Sequence, residues 1–216
     1  IQDSLVGSEM CIRDSISTLH YVMEASARNN IPLIVMDRPN PNAHYVDGPV
    51  LDLENQSFVG MHEVPIVYGL TIGEYATMIN KEGWLNNNLK SNLTIIELKN
   101  YNRKVTYDLP ILPSPNLPNR KSINLYPSLC LFEGTNVSAG RGTEMQFQIY
   151  GSPYLNKEKN NFRFTPKKNS GSKYPKHENL LCYGKNLSEN KKLDKFDLSF
   201  LLNAYSDTND KQNFFN

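Results

Sequence analysis

The chain has 216 residues, 39% of them hydrophobic and 21% charged, a composition typical of a folded protein with one good core or two modest ones. Its 23 basic and 22 acidic residues give a net charge of +1, so no overall attraction to nucleic acid or to an anionic membrane is expected. The apolar runs are much shorter than the roughly 20 residues of a membrane-spanning helix, and no span is predicted.

Residues 1–15 are predicted to be foreign to the protein. Their sequence, IQDSLVGSEMCIRDS, has neither helical periodicity nor strand alternation, and it lacks the basic start and apolar run of a signal peptide. It resembles translated sequencing-adapter sequence, and the alternative is a native terminus without regular structure. We therefore expect the fold to begin at residue 16.

A helix, a tight turn and a strand are predicted next. Residues 16–29 place apolar side chains on one helical face, and residues 33–37 form a continuous apolar run typical of a strand buried on both faces of a parallel sheet. The prolines and asparagines of residues 38–42 then favour a stiff loop. Polar residues thus follow the carboxyl end of the strand, where open α/β sheets bind ligands.

A second helix and strand follow the same order. Thr71 and Glu74 have the spacing of a reciprocal capping pair, which predicts a helix from about residue 72 to residue 80. The β-branched residues of 92–98 predict another strand. This alternation of helices and strands indicates an α/β fold.

The second half is predicted to be less regular. Five prolines within residues 110–127 exclude a helix there and favour an extended segment that contains a domain boundary, placed at 121/122. A short apolar strand is expected around residues 128–132, and the Lys- and Asn-rich residues 156–179 are expected to be an exposed loop. A helix capped by Asp197 is expected. The sequence stops at Asn216, directly after Phe214 and Phe215, and an end on unpaired aromatics suggests a truncated chain.

Several long segments resemble the NamZ-type exo-β-N-acetylmuramidases. These are ISTLHYVMEA, PLIVMDRPNPNAHYVDGPVLD, FVGMHEVPIVYGLTIGEYATMIN, LPILPSPNLPN, YPSLCLFEGTNVSAGRGT and FQIYGSPY, in this order along the chain. The resemblance implies the later part of a Rossmann-like domain over residues 16–121, then part of a smaller α/β domain over residues 122–216, with the substrate in a cleft between them.

The resemblance also implies an activity. Family members release N-acetylmuramic acid from the non-reducing end of peptidoglycan fragments, so the expected partners are peptidoglycan-derived saccharides and the expected compartment is the periplasm or the cell exterior. No metal or organic cofactor is expected, and the oligomeric state is left open. The family's favoured catalytic glutamate lies in a PEHG-type segment, and no such string occurs in this chain. The chain alone is therefore expected to be inactive.

Glu133 is the candidate catalytic carboxylate, because it follows an apolar run and precedes a glycine turn from which its side chain could face a cleft. The alternative is a structural glutamate bonded to loop amides. Arg141, between two glycines, is a candidate for binding the lactyl carboxylate of muramic acid through two parallel hydrogen bonds. Its alternative role is to tie loop carbonyls together.

The other candidates for substrate binding are polar residues in loops. They are Asp37, Arg38, Asn40, His62, Asn116 and Asn136, with Asn119 weighed beside Asn116. Rim position favours the first three, although an Asp37–Arg38 structural network is an alternative. An isolated histidine is often only hydrogen-bonded in place, and turn formation would equally explain Asn116 and Asn119. A second reading of the whole chain is a non-catalytic module that binds cell-wall sugars.

Overall fold

A computed structural model describes residues 15–215 of the chain. Residues 1–14 of the segment predicted to be foreign lie outside this range. The fold is mixed α/β and divides into two compact units, one ending at Leu109 and one beginning at Pro110. This division lies upstream of the predicted boundary at 121/122. Among the described residues, no helix combines the length and the apolar character required to cross a membrane.

Between residues 15 and 109, the first unit contains two α-helices and four strands. They are α1 (Ser15–Arg28), β1 (Leu33–Met36), β2 (Asp47–Val50), β3 (Pro65–Val67), α2 (Ile72–Glu82) and β4 (Leu93–Ile96). Strands β1 and β4 pair in parallel, with Leu33 opposite Leu93, whereas β2 and β3 form a separate antiparallel pair. The predicted helices and strands of this half are confirmed.

The core of the first unit lies between the two helices and one face of the parallel pair. Met23, Tyr75, Ala76 and Ile79 are fully buried there, and inward-facing residues of β1 and β4 pack against them. The helices therefore gain most of their stability by burying one apolar face each, since short isolated helices are marginal in water.

The prediction that β1 is buried on both faces is wrong for the described residues. Its side chains alternate, and Ile34 and Met36 remain 63% and 75% exposed. Ile96 of β4 points to the same open side. Successive side chains of a strand face opposite sides of a sheet, and only one side of this two-stranded sheet is covered.

The second unit contains two helices and a three-stranded antiparallel sheet. The elements are α3 (Arg120–Leu129), a 3-10 turn (Cys130–Gly134), β5 (Ile149–Ser152), β6 (Phe162–Phe164), β7 (Cys182–Asn186) and α4 (Ser199–Asp207). The strand order is β5-β7-β6. Helix α4 follows Asp197 as predicted, and the Asp197 carboxylate accepts a hydrogen bond from the Ser199 N–H.

Two predictions for residues 110–134 are wrong. Helix α3 forms in the proline-rich segment, because Asn119 and Ser122 make a reciprocal capping box and Pro127 comes late, two residues before the last helical residue. The apolar residues 128–132 continue this helix and the 3-10 turn instead of forming a strand. Burial of Leu125, Leu129 and Phe132 holds them there.

The Lys- and Asn-rich residues 156–179 are not a simple exposed loop. They include strand β6 at the edge of the sheet, and the side chain of Asn160 is buried. The final aromatics are not unpaired either, since Phe214 is fully buried and its ring contacts Tyr205. Sequence composition missed these contacts because it does not indicate which residues the fold brings together.

Candidate functional site

Asp37 at the carboxyl end of β1 anchors the start of α2. Its carboxylate accepts hydrogen bonds from the Gly73 N–H and from the Thr71 hydroxyl, both 2.8 Å long. A negative charge is stabilised at this position because the first N–H groups of a helix have no partner within the helix. Gly73 has no room for a side chain, since a Cβ atom there would lie 2.8 Å from the Asp37 carboxyl carbon. The contacts described for Asp37 are therefore structural.

Asn40 and Arg38 differ in how much of their side chains is engaged. The Asn40 amide nitrogen donates to the Leu70 carbonyl, and its amide oxygen accepts from the Asn42 N–H. Arg38 is exposed, and the described residues provide no hydrogen-bond or ion-pair partner for its guanidinium group. Of the predicted rim residues, Arg38 has the side chain that is most available to a ligand.

His62 lies in the core of the first unit. One ring nitrogen is 2.9 Å from a ring nitrogen of His20, the other is 3.0 Å from the Tyr75 hydroxyl, and the ring stacks on Trp84. Burial, with a smaller contribution from His20, lowers the pKa of His62 to about 4. The imidazole is therefore neutral near pH 7, with both nitrogens engaged inside the protein.

Asn116 and Asn119 stabilise loops and helix ends of the second unit. Asn116 is buried, and its amide nitrogen donates to the Gly171 carbonyl at 2.6 Å. Asn119 caps α3 through the Ser122 N–H and also donates to the side chain of Gln148. These contacts agree with the turn-forming alternative for both residues.

Glu133 projects from the 3-10 turn that follows α3. The preceding residue, Phe132, is fully buried and stacks on Tyr150, whereas the Glu133 side chain is 33% exposed. Thr135 ends the turn, and both its N–H and its hydroxyl donate to the Phe132 carbonyl. The buried phenylalanine thus fixes the turn that presents Glu133.

Arg141 forms an ion pair with Glu133. A terminal guanidinium nitrogen lies 3.1 Å from a carboxylate oxygen of Glu133, and the guanidinium carbon lies 5.5 Å from the centre of the Phe147 ring. Glu133 and Arg141, two of the candidates of the second unit, are therefore brought together. The Arg141 side chain is more than a third exposed and the Glu133 side chain about a third, so a ligand can contact this pair.

The glycines beside Arg141 serve the packing of the protein itself. Gly140 and Gly142 both have a φ of 79°, in the left-handed region that glycine tolerates. A Cβ atom on Gly142 would lie 2.6 Å from the Pro175 side chain. Pro175 therefore fills this side of the turn. That the two glycines let a ligand approach the backbone closely stays a prediction from the sequence.

The backbone N–H and carbonyl of Asn136 are both hydrogen-bonded, whereas its side chain is unpaired among the described residues. Its N–H donates to the Phe214 carbonyl at 2.7 Å, and its carbonyl accepts from the His177 ring at 2.5 Å. Its buried amide oxygen and nitrogen have no hydrogen-bond partner among the described residues. Buried polar groups are nearly always satisfied, so this amide is a strong candidate for binding a ligand group.

Lys176 and His177 contact the backbone around Glu133 and Asn136, although the sequence analysis did not single them out. The Lys176 ammonium donates to the carbonyls of Phe132 and Thr135. Burial lowers the pKa of Lys176, while nearby Glu133 raises it and nearby Arg141 lowers it. These contacts span more than forty residues along the chain, and no local sequence pattern indicates them.

We call Glu133, Asn136, Arg141, Lys176 and His177 the second-unit polar cluster. It combines one carboxylate, two cationic groups, an amide and an imidazole, and it could bind a ligand that carries both an anionic group and hydrogen-bonding groups. As the anionic partner of an ion pair, Glu133 can accept a proton or a hydrogen bond. Within residues 15–215, no three His, Cys, Asp or Glu residues are grouped so that they could hold a metal ion.

Comparisons with known proteins cover both units. The chain matches the N-terminal model of exo-beta-N-acetylmuramidase NamZ over residues 14–121 and the C-terminal model over residues 124–215. It is 40% identical over 189 residues to the peptidoglycan beta-N-acetylmuramidase NamZ of Bacillus subtilis, covering 78% of this chain and 43% of that protein.

Two crystal structures of DUF1343 family proteins from Bacteroides fragilis are also similar. The first has a TM-score of 0.87 and 45% sequence identity, with coverage of 93% of this chain and 57% of its own. The second has a TM-score of 0.75 and 27% identity, with coverage of 88% and 53%. The chain therefore spans about half the length of the relatives it matches. From its matches along both units, the chain belongs to the NamZ family.

Proposed function

We propose that the chain is part of a peptidoglycan glycoside hydrolase that releases N-acetylmuramic acid from the non-reducing ends of peptidoglycan fragments. Family membership and the relative in Bacillus subtilis support this reaction. The observation that carries the proposal is the contact between Glu133 and Arg141 beside the unpaired amide of Asn136. These groups match the carboxylate, hydroxyl and acetamido groups of such a sugar.

In the reaction, Glu133 acts as the carboxylate that accepts a proton or a hydrogen bond. Glycoside hydrolysis usually needs one group that protonates the leaving oxygen and a second that supplies or activates the nucleophile. The ion pair with Arg141 suits Glu133 to the second role or to orienting the substrate. The proton donor is the glutamate of a PEHG-type segment, which this chain lacks. The chain by itself therefore binds the sugar without cleaving it.

Arg141 binds the lactyl carboxylate. This group distinguishes muramic acid from glucosamine, and a planar guanidinium can bind it with two parallel hydrogen bonds. One terminal nitrogen already contacts Glu133, so the substrate either shares the guanidinium or displaces Glu133 from it. Displacement would leave the Glu133 carboxylate free to contact the sugar.

The first unit supplies the scaffold of a Rossmann-like domain. The parallel pairing of β1 with β4 and the intervening helix α2 support this architecture. Arg38 at the end of β1 is its best sugar ligand, while Asp37, Asn40 and His62 act mainly through the loops and the helix that they hold. The partners are peptidoglycan-derived saccharides, and the protein works in the periplasm or outside the cell.

The alternative function is a non-catalytic module that binds cell-wall sugars. The ion pair of Glu133 with Arg141 favours this alternative, because a carboxylate engaged in this way cannot complete hydrolysis without a separate proton donor. Both functions require sugar binding by the second-unit polar cluster. They differ in whether a longer polypeptide that includes a PEHG-type segment cleaves the glycosidic bond.

The first experiment measures sugar binding by the 216-residue chain. In NMR titrations, N-acetylmuramic acid should bind more tightly than N-acetylglucosamine. Arg141→Ala should weaken binding of the muramic acid by roughly tenfold to hundredfold, which corresponds to about 1.5–3 kcal/mol for a hydrogen bond to a charged group. Arg141→Lys should restore part of the affinity, because an ammonium keeps the charge but lacks the paired planar donors.

Arg163→Ala is the matched control, since Arg163 belongs to the same unit but lies over the Tyr183 ring. It should leave both affinities unchanged. Equal affinity of the wild-type chain for the two sugars would contradict the lactyl-binding role of Arg141. Binding of neither sugar would contradict the proposed function as a whole.

The second experiment distinguishes the enzyme from the binding module. The chain joined to the PEHG-bearing half of a family member should release N-acetylmuramic acid from a disaccharide, and Glu133→Gln should abolish most of that activity. The 216-residue chain alone should release none. Sugar binding by the joined protein without hydrolysis would instead support the non-catalytic module.

A further inference from the structure

The segment of residues 167–177, which we call the clamp segment, touches both turns of the second-unit polar cluster. At one end the Lys167 N–H donates to the Gly142 carbonyl at 2.8 Å, and the Asn169 amide donates to the Thr143 carbonyl at 3.3 Å. At the other end Lys176 and His177 bind the turn that presents Glu133. One stretch of chain therefore contacts the turns of both members of the ion pair.

Lys176 and His177 contact the backbone on both sides of Glu133. Lys176 donates to the carbonyls of Phe132 and Thr135, and the His177 ring donates to the carbonyl of Asn136. A carbonyl can only accept, so the bonding nitrogen of His177, Nε2, carries its proton. Three carbonyls around Glu133 are thus held by two consecutive side chains, and the conformation of the turn depends on them.

The backbone of His177 supports a dedicated role. Its φ of 60° lies in the left-handed region, which costs a non-glycine residue about 1 kcal/mol or more. A non-glycine residue persists in this conformation only where the surrounding contacts fix it. Here the ring is fixed by the Asn136 carbonyl, by the Ser152 hydroxyl at 3.4 Å and by the edge of Tyr154.

We infer that Lys176 and His177 are positioning residues, which hold the 3-10 turn so that Glu133 and Asn136 face the sugar. This inference rests on the proposed function of the second-unit polar cluster. Neither side chain has to touch the sugar. They act through the carbonyls of the turn, and sugar affinity depends on them even though their own contacts are within the protein.

The test compares Lys176→Met with Lys173→Met, a matched control at an exposed lysine of the same segment. Lys176→Met should weaken binding of N-acetylmuramic acid at least tenfold, whereas Lys173→Met should leave it unchanged. Lys176→Arg should restore much of the affinity, because a guanidinium can also donate to two carbonyls. His177→Asn, which tolerates the left-handed backbone but is too short to reach Asn136, should weaken binding as well.

Amide hydrogen exchange, measured without sugar, separates this inference from the proposed function. In Lys176→Met and His177→Asn, the N–H groups of Thr135 and Asn136 should exchange faster, while those of β5 and β7 keep their protection. If neither the wild type nor any variant binds sugar, but these two amides lose protection in the variants, the proposed function is wrong and Lys176 and His177 still hold the turn. If Lys176→Met binds sugar as wild type does, or its exchange is unchanged at both amides, the positioning role is wrong.

Discussion

At the scale of single residues, the two halves of the chain use their polar groups differently. In the first unit, Asp37 and Asn40 are occupied by helix and loop contacts, whereas the guanidinium group of the exposed Arg38 has no hydrogen-bond or ion-pair partner among the described residues. In the second unit, Glu133 and Arg141 contact each other in a partly exposed position. The second unit therefore provides the better described candidate site.

Gly142 should be the more sensitive of two glycines near this site. Gly142→Ala places a Cβ atom 2.6 Å from the Pro175 side chain at a φ of 79°, so we expect a loss of at least about 2 kcal/mol in unfolding free energy. Gly134→Ala is the control, because nothing lies within 4 Å of its Cβ position. Its cost should stay within about 0.5 kcal/mol.

Urea unfolding of the two variants measures this difference. A Gly142→Ala variant as stable as Gly134→Ala would mean that the turn can move away from Pro175. In that case the glycines would be free to serve ligand approach after all.

At the scale of helices and strands, sequence patterns predicted the elements whose signals are local. The capping pair of α2 and the apolar face of α1 involve neighbours within one or two turns, and both helices were predicted close to their observed bounds. Helix α3 was missed because proline content was given more weight than the cap at Asn119, although the proline lies late in the helix. The prolines disfavour a helix and the cap at Asn119 favours one, and burial of Leu125 and Leu129 stabilises the helix that forms.

The candidate site could likewise be predicted from the sequence only where its residues are close along the chain. Glu133 and Arg141 are close in sequence and could be proposed together, whereas Lys176 contacts the carbonyl of Phe132 from 44 residues away along the chain. Composition described the Lys- and Asn-rich segment as an exposed loop, because it gives no information about which carbonyls a lysine will meet. Contacts of this kind depend on the tertiary fold.

Asp37→Asn tests the anchoring of α2 to β1. The substitution keeps the shape of the side chain but removes the charge that accepts from Gly73 and Thr71 at the start of the helix. We expect a loss of about 1.5–3 kcal/mol in unfolding free energy, the range for hydrogen bonds to charged groups. Asp47→Asn, at an exposed residue bonded to the next N–H, should change stability by less than about 0.5 kcal/mol.

Chemical denaturation measures both Asp variants, and the sugar titration described above is repeated with each. Unchanged stability together with weaker sugar binding in Asp37→Asn would favour a direct role in the substrate site. Lower stability with unchanged binding would assign the carboxylate to the scaffold.

At the scale of the whole molecule, each unit has its own core and its own source of stability. The first unit contains a cluster of aromatic and imidazole rings, formed by the buried His20, His62 and Tyr75 and the partly buried Trp84. The second unit is organised by Phe132, Phe147 and Tyr150 around the turns of the polar cluster. The two units can therefore respond differently to solution conditions.

Mild acid should destabilise the first unit. Burial lowers the pKa of His62 from 6.5 to about 4, so the unfolded chain binds a proton at a higher pH than the folded chain does. The stabilisation is complete above about pH 6.5 and is lost as the pH falls towards 4. Between pH 7.5 and pH 5 the loss from His62 should be about 2 kcal/mol.

Trp84 provides the measurement, because it is the single tryptophan of the chain and stacks on His62. Urea unfolding followed by its fluorescence should depend less on pH in His62→Gln than in the wild type. His44→Gln, at a histidine outside this ring cluster, should keep the wild-type dependence. The same dependence of unfolding free energy on pH in all three proteins would show that His62 is not the titrating group.

The open face of the β1–β4 sheet has a practical consequence for handling the protein. Ile34, Met36 and Ile96 present a contiguous apolar strip to water, on two strands that pair only with each other among the described residues. Exposed apolar strands favour self-association. Concentrated samples of the chain should therefore be prone to clouding, and charged substitutions on this strip, such as Ile34→Lys, offer a route to colloidal stability that leaves both cores intact.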